Sequence, residues 1–237
     1  MGMLAGVAAV SLRGMRSPAI ASAANEVASA MKSARQMAIA SGRKHMVAIP
    51  ITQNDLTTNL FRSYAIFEEL PVGESVNEPP FATNTTANPI YLAKTDWRTL
   101  PEGTLFCNIS SATYNTINLD PFTGATLGSL FRPVAQAGSS GSEWRFFESY
   151  QASFPICRPD TLSTPVATLN NVPFVGFYPN GRAYYINPGN RQGVGIRLVQ
   201  GFVKGDQIAI TDTNNFYTVE TDPNVGRVRV RNRDSYR

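Results

Sequence analysis

The residues with the clearest chemical potential in this chain are arginines near its end. Arg227, Arg229, Arg231 and Arg233 alternate with Val228, Val230 and Asn232. A strand, with its period of two, would project all four guanidinium groups to one face and turn Val228 and Val230 toward a core. Arg182 and Arg197 could extend the patch. Like charges so placed repel unless they are solvated or meet an anion, and the guanidinium fork suits phosphate oxygens in a bidentate fashion. An edge strand also carries such charges simply to stay solvated and to discourage edge-to-edge pairing.

Other groupings offer less. Ser29-Ala30-Met31-Lys32 and Ser41-Gly42-Arg43-Lys44 both fit Ser-x-x-Lys, but both read as helical and neither has a Ser-Asp-Asn or Lys-Thr-Gly partner. His45, the single histidine, falls at a helix end, where a cation suits the dipole. With one His and two Cys, a His- or Cys-rich metal site is nearly excluded. Asp206, Asp212 and Asp222 read as turn residues with calcium-type oxygens, in a spacing that fits no EF-hand loop. The expectation is a protein that is not an enzyme, with no catalytic residue, metal, cofactor or small-molecule substrate. Cys107 and Cys157 are either a candidate disulfide or two buried thiols. Closing their loop would contribute roughly 4 kcal/mol in the chain-entropy model. Asn84-Thr85-Thr86 and Asn108-Ile109-Ser110 are formal glycosylation sequons.

The elements that must position these residues follow from composition and periodicity. Only 16% of the 237 residues are charged, against about 25% in a typical soluble domain. The 43% hydrophobic content excludes an intrinsically disordered chain. The net charge of +4 does not by itself imply a nucleic-acid partner. Met1 to Val10 is apolar and is followed by Arg13 and Arg16. That is the reverse of a secretory signal, and it reads as the end of a longer apolar helix. Ser17-Pro18 then starts a second helical stretch. Ile20, Ala24, Val27, Met31, Ala34 and Ala38 fall on one narrow, Ala-rich stripe. Small side chains there let a helix sit close to a sheet.

After Gly42 the pattern turns to period two. Met46–Ile51 and Ser63–Glu68 read as a hairpin pair. Residues 71–89 read as loop. Trp97–Phe106 holds a turn at Pro101-Glu102-Gly103 and a short strand, and Glu143–Glu148 reads as an aromatic strand. Pro173–Tyr178 and Arg182–Asn187 flank an Asn-Gly turn. Gly195–Val199, Gln207–Thr211, Phe216–Glu220 and Gly226–Arg231 continue as short strands. The fold class expected is α+β: one long N-terminal helix packed on an antiparallel β-sheet domain. The helical part covers residues 1–45, with an apolar half 1–16 and an amphipathic half 17–45. The β-rich part covers 46–237, with a candidate insertion at 107–172.

These residues also carry a resemblance. Gly2-Met3-Leu4-Ala5-Gly6-Val7-Ala8-Ala9-Val10-Ser11-Leu12 resembles the later half of the signal and transmembrane helix of type IV pilin-like proteins. Ala34-Arg35 with Ala38, Gly42 and a strand from Val47 resembles the FimT and GspH group of minor pilins and minor pseudopilins. Trp97-Arg98-Thr99-Leu100-Pro101-Glu102-Gly103 is similar to a turn that recurs in such subunits. Phe177-Tyr178-Pro179-Asn180-Gly181-Arg182-Ala183 is similar to the group's F-x-P-x-G-x-A hairpin, and Gly226-Arg227-Val228-Arg229 to its G-R-x-R strand. Residues 107–172 match nothing in the family.

The resemblance implies a pilin-like fold and a structural role. The chain would be a subunit of a type IV pilus or type II secretion filament, held in the bacterial inner membrane before assembly. It would then stand in the periplasm or at the cell surface, with other pilin or pseudopilin subunits as partners. Leu4 and Val7, with Ile20, Ala24, Val27, Met31, Ala34 and Ala38, would be the helix-packing residues. In FimT-like pilins a G-R-x-R tail is associated with DNA, so DNA binding for uptake through Arg227, Arg229, Arg231 and Arg233 is an alternative. A free secreted β-rich binding domain is another. One departure stands out: the family's mature chain opens on Phe or Met, has a Glu near its start and follows a short basic leader ending in Gly. None of these is here. The expectation is a truncated start, since about a dozen further apolar residues would make the helix long enough to span a membrane.

Overall fold

The computed structural model describes residues 18–50, 59, 61–77, 82–106, 151–158, 162, 165–184, 194–204, 207–222 and 224–232. Helix α1 runs Pro18–Ser41. Proline is well suited to a first turn, where no N–H is needed. No glycine interrupts the 24 residues that follow from it, and the many alanines carry the best helix propensity. The helix stops at Gly42, whose φ of 71° is the left-handed conformation of a C-terminal cap. Its N–H still bonds Ala38 O at 3.1 Å. The expected helical part, drawn to residue 45, therefore ends four residues early, because Gly42 turns the backbone out of the helix.

One face of α1 is removed from water. Ile20, Ala23, Ala24, Val27, Met31, Ala34 and Ala38 are all fully buried. Alanine brings the helix backbone close to the strands beneath it. The helix lies across strands of both sheets, and one continuous core cluster joins all three layers.

The first sheet has seven strands: β1 (His45–Ala48), β2 (Ser63–Leu70), β3 (Ile90–Ala93), β4 (Arg98–Thr99), β6 (Gln151–Cys157), β7 (Ala167–Phe177) and β8 (Ala183–Tyr184). β1 lies between β2 and β7, and β3 bridges β2 and β6. The pairings therefore close a circuit, β1–β2–β3–β6–β7 and back to β1. Every residue of β2 is buried. The second sheet has the order β11 (Val228–Asn232), β10 (Gln207–Thr221), β9 (Val194–Lys204), β5 (Thr104–Phe106).

The α+β class holds, with one N-terminal helix and several strands. The sheet is mixed rather than antiparallel, because β3 and β6 run parallel. The chain between them is long enough to make the crossover that a parallel pair needs. β3 and β6 were not foreseen, and residues 151–172 supply β6 and the first part of β7. The expected strands Gln207–Thr211 and Phe216–Glu220 form one strand, in which register shifts at Ile210, Asp212 and Phe216 absorb the break. Asp212 thus lies in β10 opposite Gln200, not in a turn. β1 ends at Ala48 rather than Ile51. β11 begins at Val228, since Gly226 has a φ of 62° that no strand residue adopts. The expected strand Glu143–Glu148 lies outside the described residues.

Polar contacts fasten α1 along its length. Near its start, the fully buried Tyr64 donates its hydroxyl to Glu26 Oε1 at 2.5 Å. Burial, with that bond and the Glu26 charge, pushes the phenol's pKa well up and keeps it a donor. Further along, Arg35 Nε donates to Gly181 O at 2.9 Å. Gly181 sits in the β7–β8 turn, with φ at 78°. Gly226 packs on the same carbonyl: a Cβ there would lie 2.0 Å from Gly181 O and 3.0 Å from Arg35 Nε. Three segments distant in sequence meet at this point, and a glycine is required at 226 by both its φ and its neighbours. Gly226→Ala is expected to lower the free energy of unfolding by about 3 kcal/mol or more. Urea denaturation checks this; a loss under about 1 kcal/mol would mean the turn can shift freely.

Candidate functional site

The sequence-stripe residues of α1 sit against the sheets as described, while Leu4 and Val7 lie outside the described residues. Among the described residues no helix is long and apolar enough to cross a membrane. The opposite face of α1 exposes Ser22, Asn25, Ser29, Lys32 and Gln36. Ser29 and Lys32 therefore stand in water, and Lys44 lies beyond the helix rather than within it.

The C-terminal arginines divide. Val228 and Val230 join the core beneath α1, so Arg229 and Arg231 face the other way. Arg227 and Arg229 are exposed. Arg231 Nε instead pairs with the buried Glu220 at 2.7 Å. Glu220 stands directly opposite Arg229 and diagonal to Arg231 across the ladder. The face is thus not four equivalent free cations: a carboxylate on the neighbouring strand answers part of its charge. Arg197 lies in the same cross-strand row as Arg231, with Thr218 of β10 between them. It is buried, with its guanidinium carbon 4.3 Å from the centroid of the Phe216 ring. Arg182 is exposed in the β7–β8 turn, and Arg233 lies outside the described residues.

A second constellation, unforeseen, surrounds Glu68 where α1 gives way to β1. Glu68 stands opposite His45 on β2. Its Oε1 accepts from Arg43 Nη1 at 2.9 Å. Its Oε2 lies 3.1 Å from Lys94 Nζ and 3.8 Å from His45 Nε2. Arg43 is used at every nitrogen, donating also from Nε to Glu74 Oε2 at 3.1 Å and from Nη2 to Ser75 O at 2.5 Å. Beside this, Lys44 Nζ meets Glu69 at 2.7 Å. Arg43, His45, Glu68 and Lys94 line a cleft of about 560 Å³, with Met37 and Ala40 of α1, Val76 and Leu92 as apolar walls. The signal was present in the doublets Arg43-Lys44 and Glu68-Glu69. They carry opposite charges at the outer ends of two strands expected to pair.

Electrostatics of the cluster follow from burial against charge. Burial alone would raise the pKa of Glu68, but hydrogen bonds and charges from Arg43 and Lys94 outweigh it, so the carboxyl is held below its usual 4.5. For His45 burial dominates. The carbonyl of Arg43 and the charge of Glu68 favour protonation, Lys94 and Arg43 oppose it, and the net is a pKa below the usual 6.5. His45 is therefore a neutral, buried strand residue. The helix-end cation expected for it is not what the fold makes, since α1 closes four residues earlier.

Cys157 is a free, buried thiol, whose Sγ–H donates to Leu162 O at 3.4 Å. Cys107, its candidate disulfide partner, lies outside the described residues. Asn84 is fully buried and donates its amide to Leu70 O and Asn88 O, so the folded chain offers no acceptor there. Asp222 Oδ1 accepts from the N–H groups of Asn224 and Val225, closing the β10–β11 turn. Asp206 lies outside the described residues. Among the described residues no three His, Cys, Asp or Glu side chains gather as a metal site.

No family model, no curated protein and no solved structure matches this chain.

Removing the Glu68 charge takes from Lys94 the carboxylate it meets and leaves Arg43 only the half-exposed Glu74. Glu68→Gln is expected to cost about 3 kcal/mol of stability at pH 7, measured by chemical denaturation. The pH dependence has a definite sign. The unfolded His45 takes its proton near 6.5 while the folded one resists, so stability falls as pH drops below that value. The folded Glu68 resists protonation, so its contribution is present above 4.5 and is lost as pH falls from there through its lowered folded value. Denaturation midpoints that stay flat between pH 7 and pH 4 would contradict both assignments.

Proposed function

We propose that this chain is a structural subunit of a helical filament, a minor pilin or pseudopilin of a type IV pilus or type II secretion system. One observation carries the reading. Arg35 on the helix, Gly181 in the Pro-Asn-Gly turn and Gly226 before the arginine strand belong to three of the segments that resemble the family. They converge on one carbonyl oxygen. Their order along the chain is thus matched by a shared physical task, which is to hold the long helix rigidly on the β domain.

The mechanism follows from that rigidity. An apolar stretch preceding α1 would pack among its counterparts in neighbouring subunits, at about 25 cal/mol per Å² buried. Head-to-tail contacts that do not close on themselves extend into a filament. The β domain, carried outward by α1, would supply the surface that other components meet. No step of this requires chemistry, and the partners are other pilin-like subunits, with the inner membrane before assembly.

The test uses the full gene product in its bacterial host. Single cysteines at Ser29 and Gln36, on the exposed face of α1, are expected to cross-link to neighbouring subunits in a sheared filament fraction. A product found only as a non-cross-linked monomer outside the membrane and filament fractions would overturn the reading in favour of a free secreted binding domain.

A second reading, DNA binding, is favoured by the exposure of Arg227 and Arg229 on the face away from the core. Such contacts would be to phosphates and salt-dependent. In a gel shift with duplex DNA, Arg227→Ala with Arg229→Ala is expected to weaken binding at least tenfold and to flatten its salt dependence. Unchanged binding would remove the arginine face from consideration.

A further inference from the structure

Glu68 Oε2 has two suitors, and only one of them is engaged. Lys94 Nζ lies 3.1 Å from it, within hydrogen-bond reach. His45 Nε2 lies 3.8 Å from it, beyond that reach. The reason is readable from the other side of the ring. His45 Nδ1 is 3.2 Å from Arg43 O. A carbonyl oxygen can only accept, so Nδ1 carries the hydrogen of the neutral ring, and Nε2 presents a lone pair to a carboxylate oxygen. Two acceptors face each other across the gap. A proton added at Nε2 would turn this repulsive pair into an ion pair.

The two suitors differ in what they can do. The side chain of His45 is 1% exposed and is fixed by the β1 ladder; that of Lys94 is 33% exposed and projects at the cleft rim. Glu68 itself cannot swing away, because Arg43 holds its other oxygen, and Arg43 is pinned in turn by Glu74 and Ser75. When a second cation arrives at Oε2, the group that can leave is the lysine, since its ammonium finds water at little cost.

We propose that His45, Glu68 and Lys94 form an acid-released latch at the end of α1. Protonation of His45 Nε2 from solvent moves Glu68 Oε2 from Lys94 to the imidazolium and frees Lys94 into the cleft, while the sheet stays intact. The charged and titratable groups around His45 are few, and β7, paired on its other side, places Phe177 opposite it and the Tyr178 ring beneath Lys44. On its own strand side stand Arg43 and Lys44, the latter held by Glu69; β2 presents Glu68 and Glu69; β3 is followed by Lys94; the 71–77 segment presents Glu74 to Arg43. The last turn of α1 contributes no basic group. Arg43 and Lys94 are balanced by Glu68 and Glu74 with His45 neutral, so the protonated cleft carries one positive charge more. Charge-balanced near neutrality, the cleft becomes a surface for anionic groups on acidification.

The experiment is a pH titration of the full chain by NMR, following the His45 ring and the Lys94 side chain, with circular dichroism as a control on the sheet. The two sets of signals are expected to move with one midpoint, below 6.5, while the circular dichroism stays constant. Lys94→Gln removes the competitor and a nearby cation, and should raise the His45 midpoint by roughly 0.5 pH unit or more. His45→Gln should abolish the Lys94 response over the same range. Lys94 signals that move independently of His45, a His45 midpoint unmoved by Lys94→Gln, or a Lys94 response surviving in His45→Gln would each overturn the latch. So would loss of the sheet signal at the His45 midpoint, which would mean acid unfolding instead.

Discussion

The carbonyl oxygen of Gly181 is the point on which this fold depends. Arg35 reaches it from the helix and Gly226 closes on it from the β10–β11 turn. A helix, a hairpin of the first sheet and the entry to an edge strand of the second thereby share one atom. Apolar burial supplies most of the attraction between α1 and the sheets, but burial is non-directional. The narrow alanine seam could slide by a turn with little loss. A charged donor aimed at one carbonyl, with a glycine on its flank that tolerates no side chain, fixes the axial position of the helix.

The charged residues, scarce in composition, are spent unevenly. Six of them, Arg43, Lys44, Glu68, Glu69, Glu74 and Lys94, gather where α1 passes into β1. There the chain must leave a helix and enter a sheet within four residues, and backbone groups are poorly served by either element. The guanidinium of Arg43 organises that corner by bonding two carboxylates and a backbone carbonyl. In the second sheet Glu220 does something similar for Arg231. Buried carboxylates thus meet guanidinium groups in both sheets, a pairing in which planar, bidentate-capable donors lose little by desolvation.

What was legible in the sequence was what local periodicity encodes. The stripe from Ile20 to Ala38 was visible because spacing of three and four reports directly on backbone geometry, whereas the helix end at Gly42 was overrun, since a lone glycine marks a cap only once its positive φ is known. The Asn-Gly turn and the alternation at Val228 and Val230 were visible for the same reason. β3 and β6 were not, because their pairing is parallel and crosses a long stretch of chain, and four residues such as Ile90–Ala93 carry too little pattern alone. β10 read as two strands because Asp212 and its polar neighbours look like a turn, whereas a register shift accommodates them in the ladder. The Glu68 cluster was hidden for another reason. Its members are ordinary surface residue types, and only the β1–β2 register shows that His45 faces Glu68. The arginine face was legible as an alternation but not as an ion pair, since Glu220 belongs to the neighbouring strand.

The placement of α1 across both sheets has a mechanical side. A pull along the helix axis would load the alanine seam in shear, so that Ile20 through Ala38 resist together with the Tyr64–Glu26 and Arg35–Gly181 bonds. A pull perpendicular to the axis at either end would instead peel the helix, breaking the same contacts one at a time. The molecule is therefore built to be stiff in one direction and weak in another. The stiff direction is the one that runs along α1 itself.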